Sequence, residues 1–208
     1  MSTSFEVYAA PANIPSFDDI LSLSNRYLKE KLAKHGIYDE YIIDVSIRKI
    51  TAGDFHDFVS FDKKAPALWP MDDGYYAWFT VGNTPGGCDA YIYKVGDFYN
   101  MEFWEEELKL NERAKAVAPE MRKCLENGFY WSFRRSMGQY AIVNLSYGLV
   151  AAAFAELMNG FIFSDDSAWD YNIFPADAAT FLQHYFDPEY SDPRYASWAK
   201  QCIDAIKG

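Results

Sequence analysis

Two short runs in the middle of the chain, Tyr75–Val81 (YYAWFTV) and Asp89–Val95 (DAYIYKV), are dense in aromatic and β-branched residues. They flank Gly82-Asn83-Thr84-Pro85-Gly86-Gly87. Side chains of this kind fit a pleated, half-buried surface, and a Gly/Pro link turns the chain back on itself. The pattern predicts an antiparallel hairpin. One of its faces must be core. Tyr75, Tyr76, Trp78 and Phe79 alternate on one strand and Tyr91 and Tyr93 on the other, so the second face offers a tyrosine-rich recognition surface unless helices cover it as well. The glycine run matches neither a dinucleotide fingerprint nor a Walker loop and joins two strands, so phosphate cradling is not expected there.

Other segments supply the cover. Ser16 followed by Asp18 and Asp19 predicts a helix start, and Ile20, Leu23, Tyr27, Leu28 and Leu32 continue at helical spacing to Gly36. In Tyr41–Ile50, Ile43, Val45 and Ile47 alternate with Asp44, Ser46 and Arg48, which predicts a half-buried strand. Residues 51–73 read as loop with room for one short helix. A helix is expected over 102–126, with Pro119 able to split it, and a strand over 129–133. The stretch 144–159 is apolar almost all round, as a helix buried on most sides would be. A short strand at 161–163, a turn at 164–170, a helix opened by Pro175 and a last helix capped by Asp192-Pro193 complete the chain. Strands and helices do not alternate strictly. The expectation is one α+β domain over 1–208: a sheet containing antiparallel strands, with a central aromatic-rich hairpin packed by several helices.

Composition narrows function. The chain has 208 residues, 50% of them apolar and 18% aromatic, which is not the make-up of a disordered segment. It carries 19 Lys plus Arg against 30 Asp plus Glu, or −11 with His neutral. That balance opposes nucleic-acid binding, which needs clustered basic residues. Cys88, Cys124 and Cys202 are far apart and form no CxxC pair, so neither a zinc knuckle nor a disulfide framework is expected. No Lys or Arg precedes Arg26, and the apolar stretch Leu145–Met158 is too short to span a bilayer. A cytoplasmic protein with no membrane association is the resulting expectation.

The most distinctive local segment is Asn159–Asp170, where a buried helix ends on Gly160 and an apolar strand leads into Asp165, Asp166, Trp169 and Asp170. Carboxylates at this density could hold a hard cation, but the glycine and distal Glu of a calcium loop are missing. Capping of turn N–H groups is the plainer role. A Trp among acids also suits an interface anchor. His35, His56 and His184 form no i,i+3 or i,i+4 pair, and no nucleophile elbow is present. Arg134-Arg135, a compact basic pair in an acidic chain, could clamp a carboxylate or phosphate, or pair with the chain's own acids.

Gly160–Asp170, preceded by AAAFAELMNG and followed by FPADAATFLQHYF, resembles small uncharacterised bacterial proteins of the immunity type found in polymorphic toxin systems. The resemblance covers the last third of the chain. It implies action by binding and transfers no catalytic residue. The leading expectation is therefore a non-enzymatic acidic binding protein that neutralises a basic partner such as a toxin, with no cofactor and no metal. Asp165, Asp166, Trp169 and Asp170 would form the binding loop, with Asp72 and Asp73 as a second acidic patch. From Ser164 onward the chain has 3 basic and 8 acidic side chains, which concentrates negative charge around this loop. The alternatives are a small hydrolase or transferase using Asp165 and Asp166 with His184, and a structural subunit of a homo-oligomer joined through the hairpin's outer face.

Overall fold

Ser16 sets the first helix. Its Oγ accepts the Asp19 N–H at 3.1 Å, while the Asp19 carboxylate accepts the Ser16 N–H at 3.1 Å. This reciprocal box satisfies two donors that a helix start leaves open. The computed structural model describes residues 2–10, 14–52, 55–71, 74–97 and 101–208. Within them the strands are β1 (Thr3–Tyr8), β2 (Ile43–Thr51), β3 (Phe55–Val59), β4 (Tyr75–Val81), β5 (Cys88–Lys94), β6 (Phe129–Arg135) and β7 (Phe161–Phe163). The helices are α1 (Phe17–Lys34), α2 (Met101–Leu110), α3 (Glu112–Ala116), α4 (Ala118–Leu125), α5 (Ala141–Leu157), α6 (Ala178–His184) and α7 (Pro193–Lys207), with a 3₁₀ turn at Tyr171–Ile173.

All seven strands form one sheet in the order β3-β2-β4-β5-β6-β1-β7, and every pairing is antiparallel. The expected α+β class, antiparallel sheet and central aromatic hairpin are what the chain forms, with β4 and β5 in the middle. Register sorts the side chains. Val45 and Ile47 lie opposite Phe79 and Ala77; Ala90 lies opposite Phe133, and Phe133 opposite Phe5. These residues share one face, and α1 and α5 pack on the sheet there. α5 is buried from Ile142 to Ala155 because it touches the sheet, α1, α6 and α7. Its all-round apolar pattern follows from that position. Gly148 lets Tyr185 lie flat on this helix: a Cβ at Gly148 would come within 2.4 Å of the tyrosine ring.

The opposite face is treated differently at its two ends. On β6, β1 and β7, α2 lays Trp104 against Tyr8 and Phe163. On β3, β2, β4 and β5 the side chains of that face remain exposed or half-buried for the most part.

The structure corrects three readings of the sequence. Residues 51–73 contain the edge strand β3 rather than a helix. The 102–126 segment is three helices: Asn111 caps α3 by accepting from Arg113 and Ala114 N–H groups, and Pro119 sits in the first turn of α4. Pro175 does not open a helix. Ala176 instead exchanges two backbone hydrogen bonds with Ile162, and α6 begins only at Ala178 under an Asp177 cap.

Candidate functional site

The acidic turn is tied into the fold, although Asp165, Asp166 and Ser167 are exposed. Asp166 accepts four hydrogen bonds, from Ser4 N (2.7 Å) and Oγ (3.0 Å), Ser164 Oγ (3.0 Å) and Ala168 N (3.2 Å). It ties β1 to the chain leaving β7. Asp170, 8% exposed, accepts from Asn172 N and Nδ2 and caps the 3₁₀ turn. Trp169 is 0% exposed. Its ring stacks on Phe186 at 5.3 Å and meets Tyr185, Tyr195 and Trp198. As an exposed anchor Trp169 is corrected: it is core, since folding gains more from burying an indole among rings than from leaving it in water. Asp165 and Asp166 of the expected loop are exposed. Asp72 and Asp73 lie outside the described residues.

His184 is committed elsewhere. Its Nδ1 is 2.8 Å from the Tyr190 carbonyl, in the turn that follows α6. Asp166 and His184 thus serve different turns. Among the described residues no group of three His, Cys, Asp or Glu side chains is placed to hold a metal ion. All three cysteines are buried and free. No helix among the described residues is long and apolar enough to cross a membrane.

The feature that stands out is the open end of the sheet. Phe58 on β3 is 74% exposed. Arg48 on β2 lies between it and Trp78 on β4, with its guanidinium carbon 5.0 Å from each ring centroid. Tyr76 stacks on Tyr91 at 5.7 Å, and Tyr91 on Tyr93 at 5.9 Å. His56 Nδ1 shares a 2.9 Å hydrogen bond with the Tyr76 hydroxyl. Arg134 on β6 lies over Tyr91 at 5.5 Å, and its Nε reaches both oxygens of Asp89. The hydrogen-bonded Asp89 carboxylate holds that guanidinium even more firmly in its charged form. Burial and the same carboxylate push the Tyr91 phenol up, so it stays neutral. The result is a ladder of flat rings and arginine planes across five strands, assembled by the two-residue period of each strand.

No protein family, no curated protein and no solved structure matches this chain. Its site is therefore read from its own geometry.

The tyrosines and Trp78 of this face were visible in the hairpin pattern. Phe58 and Arg48 were not, because their partners lie on strands remote in sequence; Arg134 stood out as half of a basic pair, and its acid partner is Asp89. The usable signal was Arg48 at an outward position of an alternating strand. Behind the closed end of the same face lies Glu6, 3% exposed, with its Oε2 unpartnered. Burial first, and the nearby charges of Asp166 and Asp165, push its carboxyl up to about 8. Neutralisation of this kind is the ordinary response of a buried acid.

Proposed function

We propose that this chain is a non-enzymatic binding protein of the inhibitor or immunity type, which grips a basic partner protein with the aromatic face of β3, β2, β4 and β5. The observation that carries this reading is Arg48 held between Phe58 and Trp78 on a sheet face open to solvent. Protein-binding hot spots are rich in Trp, Tyr and Arg that fit desolvated pockets on a partner. A guanidinium already stacked between two rings has given up much of its rotamer freedom, so binding costs less ordering entropy. The net charge of −11 adds long-range attraction to a basic partner and speeds encounter. The same charge disfavours a single-stranded nucleic acid, the other ligand that a stacking platform suits. In this reading Asp165 contributes to the attracting field, while Trp169, Asp166 and Asp170 hold the turn.

The test begins with tagged protein used to retain partners at low salt from the cells that make it. The retained chain is then purified and titrated directly. We expect a basic protein whose affinity falls at least about tenfold for Phe58→Ala combined with Trp78→Ala. Asp204→Asn, on the far side at α7, should bind as the wild type does. Co-production with the partner should suppress whatever toxicity that partner has. A partner that is acidic, or that binds the double variant equally well, overturns the proposal. So does a wild-type dimer in sedimentation that the double variant splits, because the face would then join two copies of this chain.

A further inference from the structure

Arg134 and Arg135 are neighbours in sequence but point to opposite sides of the sheet. Asp89 answers Arg134. Arg135 lies on the helix side, between rings of α5 and α7: its guanidinium carbon is 5.4 Å from the Tyr147 centroid and 5.2 Å from that of Trp198. Its Nε is sealed from solvent and has no hydrogen-bond partner, and among the described residues no carboxylate forms an ion pair with it. In a chain with 11 more acids than bases, a half-buried arginine left without a carboxylate calls for a reason.

The surroundings supply one. Arg135 forms part of the wall of a cavity of about 360 Å³, together with Ser167, Ala168, Arg194, Tyr195 and Trp198. That volume lies at the lower end of the range for small-molecule sites. Arg194 stands at the rim, paired with Asp192 at 3.1 Å and within the field of Asp170. Ser167 reaches the wall through left-handed backbone at φ 64°, a strained conformation for a residue with a Cβ and one that recurs at ligand sites. Two arginines, a hydroxyl and the ring surfaces of Trp198 and Tyr195 thus line one open cleft.

We infer that this cavity binds a small oxyanion, a carboxylate or a phosphate ester carried on a flat apolar body. The arginine fork matches the two oxygens of either group, and the Tyr147 and Trp198 rings that flank the Arg135 guanidinium are already in place to fix its plane. The aromatic wall then takes the flat body. This site lies on the opposite side of the sheet from the face proposed to bind a partner, and either assignment can fail without the other.

Amide NMR shifts followed during titration with benzoate, phenyl phosphate, inorganic phosphate and neutral benzamide test the inference. Expected are saturable shifts at Arg135, Ser167 and Trp198 with benzoate or phenyl phosphate, the tighter of the two telling carboxylate from phosphate. Benzamide should bind at least about tenfold more weakly, since it lacks the charge that the fork recognises. Arg135→Gln should weaken binding by a similar factor. Arg194→Gln, at a side chain 80% exposed, should weaken it several-fold with the fold intact, so a misfolded Arg135 variant would not end the test. No saturable shift with either aromatic anion, equal binding of benzamide, or unchanged binding in Arg194→Gln overturns the inference. Inorganic phosphate bound as tightly as phenyl phosphate overturns the flat-body assignment.

Discussion

At Glu6 a carboxyl group sits inside a sheet, with Ser132 beside it on β6 and Phe163 on β7. Its pKa is raised from 4.5 to about 8, chiefly by burial. Between those two values the folded protein holds a proton that the unfolded chain has released. Stability therefore falls as pH rises through this window, by roughly 1.4 kcal/mol per pH unit, and flattens above it. Glu6→Gln should remove this slope, gaining most at pH 8 and little at pH 4.5. Urea unfolding of both proteins across that range measures the difference, and parallel curves would show that Glu6 is ionised in the fold. The same residue shows why the first strand was not legible. Ser4, Glu6 and Tyr8 alternate with Phe5 and Val7, but a charge at a buried position disguises a strand with two covered faces. Trp169 misleads in the opposite sense. Its acidic neighbours suggested a surface, while Asp166 and Asp170 are spent on turn N–H groups and the indole goes inward.

At the scale of elements, α5 offers a prediction whose sign is opposite to the usual one. Gly→Ala inside a helix ordinarily stabilises by up to about 1 kcal/mol. At Gly148 the added methyl would meet Tyr185, whose hydroxyl donates to the Asn144 carbonyl at 2.6 Å. Gly148→Ala should destabilise by about 1–3 kcal/mol through overpacking, read from denaturant midpoints. Adding Tyr185→Phe should not rescue it, since the ring carbons clash as well. The elements that were legible carried their own punctuation: the Ser16 box, the glycine link of the hairpin, the Asp192-Pro193 start of α7. β3 was missed because His56, Asp57 and an exposed Phe58 give an edge strand little apolar alternation. The break at Asn111 was missed because it serves a contact far away in sequence, and the late start of α6 because Ala176 is held by Ile162 on β7. Asn111 Nδ2 donates to the Phe174 carbonyl at 3.1 Å. The candidate face was half legible for the same reason. Its rings belong to one hairpin, but the arginines that lock them belong to other strands.

For the whole molecule, the division between a charged exterior and an aromatic face separates two kinetic effects. Raising ionic strength from about 0.01 to 0.15 M shortens the screening length from about 30 to about 8 Å. The association rate with a basic partner should drop over that range, while dissociation, governed by ring and arginine contacts, should hardly change. Stopped-flow mixing separates the two, and a salt effect found mainly on dissociation would place charge pairs inside the interface instead. The order of the sheet has another consequence. β1 ends at Tyr8, yet it lies between β6, which begins at Phe129, and β7, which begins at Phe161. On a ribosome adding roughly 5–20 residues per second, the first strand emerges roughly 8–30 s before the last of its two neighbours exists. Until β6 is complete at Arg135, Phe5 and Val7 have no strand to pair with. The newborn chain is thus born holding the keystone of an arch whose stones have yet to be cut, and a strand made early is among the last to find its place.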